Sequence, residues 1–161
     1  MLTLGVANAV TTCVKNYVAK PRPSFYAQCG WDSTLVTVRW ENTLGPCQGS
    51  SHDIDDSMRS FPSGHASMSA ASGYYMGLYM AGKLAYMLKR TTNMNVEETD
   101  LRFYQFLLAM PSILLAVWIG VSRIRDYRHD NADVLAGHLI GAASAIVSHG
   151  CFYHSLTEVL Q

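Results

Sequence analysis

Residues 103–121 read FYQFLLAMPSILLAVWIGV, 19 positions without Asp, Glu, Lys or Arg. An α-helix rises 1.5 Å per residue, so about 20 such residues cross the hydrocarbon core of a bilayer. Residues 66–82 also lack all four charged types, and residues 134–157 extend the pattern over 24 positions. The first 14 residues are uncharged too, but they are short of a full crossing. Either this segment runs on to Val18 with Lys15 near the interface, or the chain is cut from something longer. It has no basic start and no clean cleavage signal, unlike a signal peptide. The expectation is an all-α, multi-span transmembrane helix bundle. About four spans are visible, at 1–18, 63–82, 103–121 and 132–154, in a single domain covering 1–161. The competing reading is a set of buried helices in a soluble bundle.

Composition fits the first reading. Of the 161 residues, 49% are hydrophobic and only 15% charged, against roughly a quarter charged in ordinary soluble domains. Net charge is zero, which gives no reason to expect a nucleic acid or other polyanion as partner. Mean hydropathy is low for a membrane protein at +0.08, because two polar stretches dilute it. Pro111 should kink its span, and Gly137, Gly141 and Ala145 form a row of small residues that lets helices approach closely.

The polar stretches are a long loop over 24–60 and a shorter one over 83–102. Lys83, Lys89, Arg90 and Arg102 lie on one side of a four-span arrangement, and the other eight cations on the opposite side. A count of positive charge would place that second side in the cytoplasm. Cations bound to an anionic ligand are not topology signals, however. Cys29 and Cys47 both fall in the long loop, and a bridge between them would need a lumenal or extracellular setting. Cys13 and Cys151 fall in apolar segments and read as core residues. Lys20 reads as an interface residue.

Three clusters stand at the span ends on that second side. Lys15 and Arg22, separated by six residues and followed by Pro23, supply cations. A guanidinium can grip phosphate through two parallel hydrogen bonds, and an ammonium adds a point charge. Pro62-Ser63-Gly64-His65 leads into small residues. Ser63 is a natural N-cap, free N–H groups at a helix start attract anions, and Gly64 permits close backbone approach. His65 would sit beside the anion, placed to give up a proton. Ser122-Arg123 closes a span, and His129 and Asp133 open the next at spacing i, i+4, on one helix face. A carboxylate on one imidazole nitrogen fixes the tautomer and frees the other for attack. Each cluster alone has a plainer reading, as a basic membrane edge, a helix cap or a surface ion pair. His52, His138, His149 and His154 have no evident partner.

In order and spacing, the three clusters resemble the type 2 phosphatidic acid phosphatase superfamily, and within it the eukaryotic lipid phosphate phosphatases. The resemblance runs from about Lys15 to Gly141, and Asp126-Tyr127-Arg128-His129 and Asp133-Val134-Leu135-Ala136-Gly137 look like that subgroup as well. It implies an integral membrane hydrolase that cleaves phosphatidic acid and related lipid phosphate monoesters. His129 would be the nucleophile of a phosphohistidine intermediate, Asp133 its orienting partner, and His65 the general acid and later base. Lys15, Arg22, Ser63, Gly64 and Arg123 would hold the phosphate. It implies no metal and no other cofactor. The partners it implies are a lipid phosphate substrate and the bilayer, with no nucleic acid; a homo-oligomer is compatible. The site would face the lumen or the cell exterior. Asp130 stands where many relatives carry a second histidine, and Ala19-Lys20 where Gly-Arg is common. Such proteins usually have six spans, so the first two would be missing here.

The alternatives are another member of the superfamily, such as a sugar phosphatase or a soluble vanadate-dependent haloperoxidase, and a non-catalytic membrane relative. Non-catalytic relatives lose catalytic residues, whereas every one named above is present.

Overall fold

The computed structural model describes residues 1–30, 50–91 and 98–153. Among them every regular element is an α-helix: α1 (Leu2–Val18), α2 (Phe25–Cys29), α3 (Ser51–Ser57), α4 (Gly64–Thr91), α5 (Glu98–Arg125) and α6 (Asn131–Phe152). The architecture is an all-α bundle. α4 is its central helix, packed along α5 on one side and α6 on the other, with α1 across α4 and α6. Among the described residues two helices, Leu101–Arg125 and Asn131–Phe152, are by length and composition apolar enough to cross a membrane.

Small residues make the close packing possible. Ala66, Ala70 and Ala71 on α4, with Gly137, Gly141 and Ala145 on α6, are buried where the helices meet. A Cβ added at Gly137 would lie 2.6 Å from the Ser63 carbonyl oxygen, and one at Gly141 only 2.4 Å from that of Ser67. Both neighbours are backbone atoms, which cannot swing aside. Gly141→Ala should therefore push α6 off α4 and cost about 1–3 kcal/mol as an overpacked contact. Thermal unfolding in detergent micelles reads this directly; an unchanged midpoint would contradict the packing.

Several boundaries differ from the expectation. The helices run through most of the 83–102 stretch, since α4 continues to Thr91 and α5 starts at Glu98. Lys, Leu, Ala and Met are good helix formers, so charge ends an apolar segment without ending a helix. α5 also continues through Pro111. The long loop carries α2 and α3. Cys13 and Cys151 are free and exposed, contrary to the core reading. The inward faces of their helices are taken by Ala7 and Thr11 on α1 and by Gly141, Ala145 and Ser148 on α6. Cys29 is buried, while Cys47 lies outside the described residues and the Cys29–Cys47 bridge with it.

Candidate active site

The site grows from the start of α6. Asp130 caps this helix: its carboxylate accepts from the Asp133 N–H at 2.9 Å, and the Asp133 carboxylate accepts from the Asp130 N–H at 3.1 Å. That reciprocal box satisfies two of the orphan donors of a helix start. It also moves the helix boundary. His129 precedes the cap, so His129 and Asp133 do not share a helix face as their spacing suggested; a capping turn sets their geometry.

Asp133 is completely buried. A buried carboxylate is tolerable only when paired and hydrogen-bonded. Lys20 meets Oδ1 at 2.8 Å, and Ser60 and the Asp130 N–H take Oδ2. Lys20 also pairs with Asp130, so it is a clamp on two carboxylates and not a simple interface residue. Burial works against its charge, but the two carboxylate hydrogen bonds outweigh it and raise its pKa. Against burial, the hydrogen bonds from Lys20 and from the Asp133 N–H hold Asp130 below its usual value. Lys20 stays in place because α1 ends at Ala19, which adopts the left-handed conformation (φ 46°, ψ 45°). Glycine takes that conformation freely, an alanine only at some cost.

His129 is 4% exposed. Its Nδ1 lies 3.3 Å from Ser60 Oγ and 3.7 Å from Asp133 Oδ2. Burial first, and the Arg22 charge second, push its pKa down to about 4 against the pull of Asp133. The ring is thus a neutral base at physiological pH and remains one until the pH falls to about 4. An ¹⁵N imidazole titration of the free protein should place the His129 midpoint near that value; a midpoint at the ordinary value of roughly 6.5 would contradict the burial and charge described.

The second cluster is stitched to the first turn of α6. The Ser63 N–H donates to the Asp133 carbonyl at 2.9 Å, and Ser63 Oγ accepts from the Ala66 N–H, as a helix cap does. Gly64 opens α4, and the Lys15 ammonium lies 3.9 Å from where a Gly64 Cβ would stand. His65 is exposed beside them, within electrostatic reach of Arg123, Lys15, Arg22 and Arg128. Arg22 is nearly buried and meets Asp56 of α3 at 2.9 Å, while its Nε has no partner. Arg123 meets Asp126 at 3.1 Å and also donates to Ser122 Oγ. A cavity of about 220 Å³, lined by Gln28, Asp53, Asp56 and Arg128, opens beside the Arg22–Asp56 pair.

The structure therefore brings Lys15, Arg22, Ser63, Gly64, His65, Arg123, His129 and Asp133 to one end of the bundle. Ser60, Lys20 and Arg128 join them without having been given a role in the site from the sequence. The Asp130-x-x-Asp133 spacing is itself a capping signal that locates the helix start. Ser60 and Lys20 carry no such local signal. Elsewhere, His138 Nδ1 sits 3.3 Å from the Tyr74 hydroxyl and the buried His149 stacks on Tyr153; both are packing residues. His52 is exposed, and His154 lies outside the described residues.

Chemically, such an arrangement can bind a tetrahedral oxyanion and present a neutral imidazole to it. The protein is thus an all-α bundle that gathers a group of cations and a buried histidine at one end. Residues 1–156 match the PAP2 superfamily, and the chain belongs to that family. It is 33% identical over 143 residues to the "Probable diacylglycerol pyrophosphate phosphatase 1" of Schizosaccharomyces pombe, covering 88% of this chain and 48% of that protein. It is 31% identical over 148 residues to "Lipid phosphate phosphatase 1" of Arabidopsis thaliana, covering 92% and 42%. It is 29% identical over 143 residues to "Phospholipid phosphatase 2" of Mus musculus, covering 89% and 48%. The chain thus spans somewhat less than half the length of these relatives. No solved structure matches it.

Proposed function

We propose that this chain carries the catalytic centre of an integral membrane lipid phosphate phosphatase acting on phosphatidic acid and related monoesters. The observation that carries the reading is the buried, neutral His129, held beside Asp133 and facing a group of cations around His65. The names of its relatives support a lipid phosphate substrate. Four spans, at about 1–18, 63–82, 103–121 and 132–154, would place the site at the membrane surface, where a substrate arrives laterally with its tails still in lipid. The proposed side is the lumen or cell exterior, with a Cys29–Cys47 bridge in the stretch over 24–60.

In the first step His129 Nε2 attacks phosphorus. The bond from phosphorus to the lipid alcohol oxygen breaks, and that oxygen takes a proton from His65. In the second step His65 removes a proton from water, whose oxygen attacks phosphorus and releases phosphate from His129. Lys15, Arg22 and Arg123, with the N–H groups at the start of α4, hold the phosphate oxygens. Positioning and charge stabilisation are most of what phosphoryl transfer requires. In this reading side-chain cations supply that charge, and no metal takes part.

The test is phosphate release from phosphatidic acid, diacylglycerol pyrophosphate and a soluble sugar phosphate, with EDTA present. Release from the lipids that survives EDTA is expected. Turnover of the sugar phosphate alone would contradict the substrate class, and loss of lipid turnover in EDTA would contradict the metal-free reading.

A further inference from the structure

The carboxylate closest to His129 does not bond to it. Asp133 Oδ2 is 3.7 Å from Nδ1, too long for a hydrogen bond. Ser60 Oγ stands between them, 3.3 Å from Nδ1 and donating to Oδ2. Ser60 is completely buried, and its own N–H donates to the Lys20 carbonyl at 2.8 Å. Backbone and side chain are therefore both fixed in this position.

Proton counting then sets the direction of the chain. A serine hydroxyl has one proton to donate and lone pairs to accept with, while an ionised carboxylate only accepts. Lys20 on Oδ1 and the Asp130 N–H on Oδ2 keep Asp133 in that acceptor role. The single Ser60 proton is committed to Asp133, so Ser60 Oγ can only accept from His129. That requires the imidazole proton to sit on Nδ1 and leaves the Nε2 lone pair free.

We propose that Ser60 is a positioning residue for the phosphatase reaction: its hydroxyl links Asp133 to His129 and selects the Nδ1–H tautomer, so that Asp133 acts on the imidazole through Ser60. The proposal rests on reading His129 as the nucleophile. Ser60 itself touches no substrate in this scheme. A merely structural Ser60 would change how much protein folds, but not how fast the folded protein is phosphorylated.

The experiment combines rapid-quench labelling with ³²P-phosphatidic acid and ¹⁵N imidazole spectra of His129, on the purified protein in micelles. Ser60→Ala should slow phosphoenzyme formation roughly 10- to 100-fold, the usual worth of a hydrogen bond to a charged group, with KM little changed. Ser60→Thr, which keeps the hydroxyl, should restore most of the rate. The wild-type spectrum should show Nδ1–H, and Ser60→Ala should shift it towards Nε2–H. Labelling of Ser60→Ala at the wild-type rate, or an Nε2–H tautomer in the wild type, would overturn the proposal. If Ser60→Ala does not fold, Ser60→Cys, which keeps the size but weakens the hydrogen bond, takes its place, and labelling at the wild-type rate overturns the proposal. A wild type that turns over without label on His129 would instead overturn the nucleophile assignment, leaving the tautomer to decide the role of Ser60.

Discussion

Replacing His129 with alanine should abolish lipid phosphate turnover, with a loss on the order of 10⁴-fold or more, as for other groups that form the covalent intermediate. The protein should nevertheless stay folded. The bonds that close this end of the bundle run from Lys20 and Ser60 to Asp133, and from Ser63 to the Asp133 carbonyl. None of them passes through the imidazole. Asp133→Asn would be a less clean test, because it weakens the clamp on Lys20 together with the chemistry. Initial rates beside a thermal melt in the same detergent check the expectation. Residual turnover within tenfold of wild type, in protein that melts normally, would remove His129 from the chemistry.

The second large effect concerns His65 and depends on the leaving group. A lipid alcohol leaves poorly without a proton, whereas nitrophenolate leaves unaided. General acid catalysis contributes roughly 10²–10⁴-fold, so His65→Ala should lose about that much on phosphatidic acid and much less in the first step on nitrophenyl phosphate. His65 is exposed at the start of α4 among Arg123, Lys15, Arg22 and Arg128. Its removal leaves no buried partner unpaired. Burst kinetics on the two substrates separate the steps, since the same histidine serves water in the second. Equal losses in the first step on both would show that His65 does not protonate the leaving oxygen.

Both expectations start from positions readable in the chain, because each motif sits at the end of an apolar segment and the bundle gathers those ends. The α6 start could be read through Asp130-x-x-Asp133, a local capping pattern. What could not be read are contacts between distant positions. Ser60 reaches Asp133 across 73 residues and Lys20 reaches it across 113; nothing in the local pattern around Ser60 or Lys20 marks them as partners of that carboxylate. Burial also followed a different rule from hydrophobicity. Cys13 and Cys151 face outward although their segments are apolar, because small residues occupy the helix contacts and larger apolar side chains such as Leu114, Trp118 and Ile146 lie outside. In a bundle suited to lipid, apolar character identifies a span without saying which face turns inward.

The most direct test is the chemical identity and position of the phosphoenzyme. His65→Ala slows the water step but should leave the first step on nitrophenyl phosphate largely intact, so it should accumulate label from ³²P-nitrophenyl phosphate when quenched within the first turnover. The label should be stable in base, labile in acid, and carried by the peptide that contains His129. In the wild type, label on the peptide that contains His65, or active protein that yields no acid-labile label under the same quench, would contradict the assignment of His129 as nucleophile and His65 as its acid–base partner.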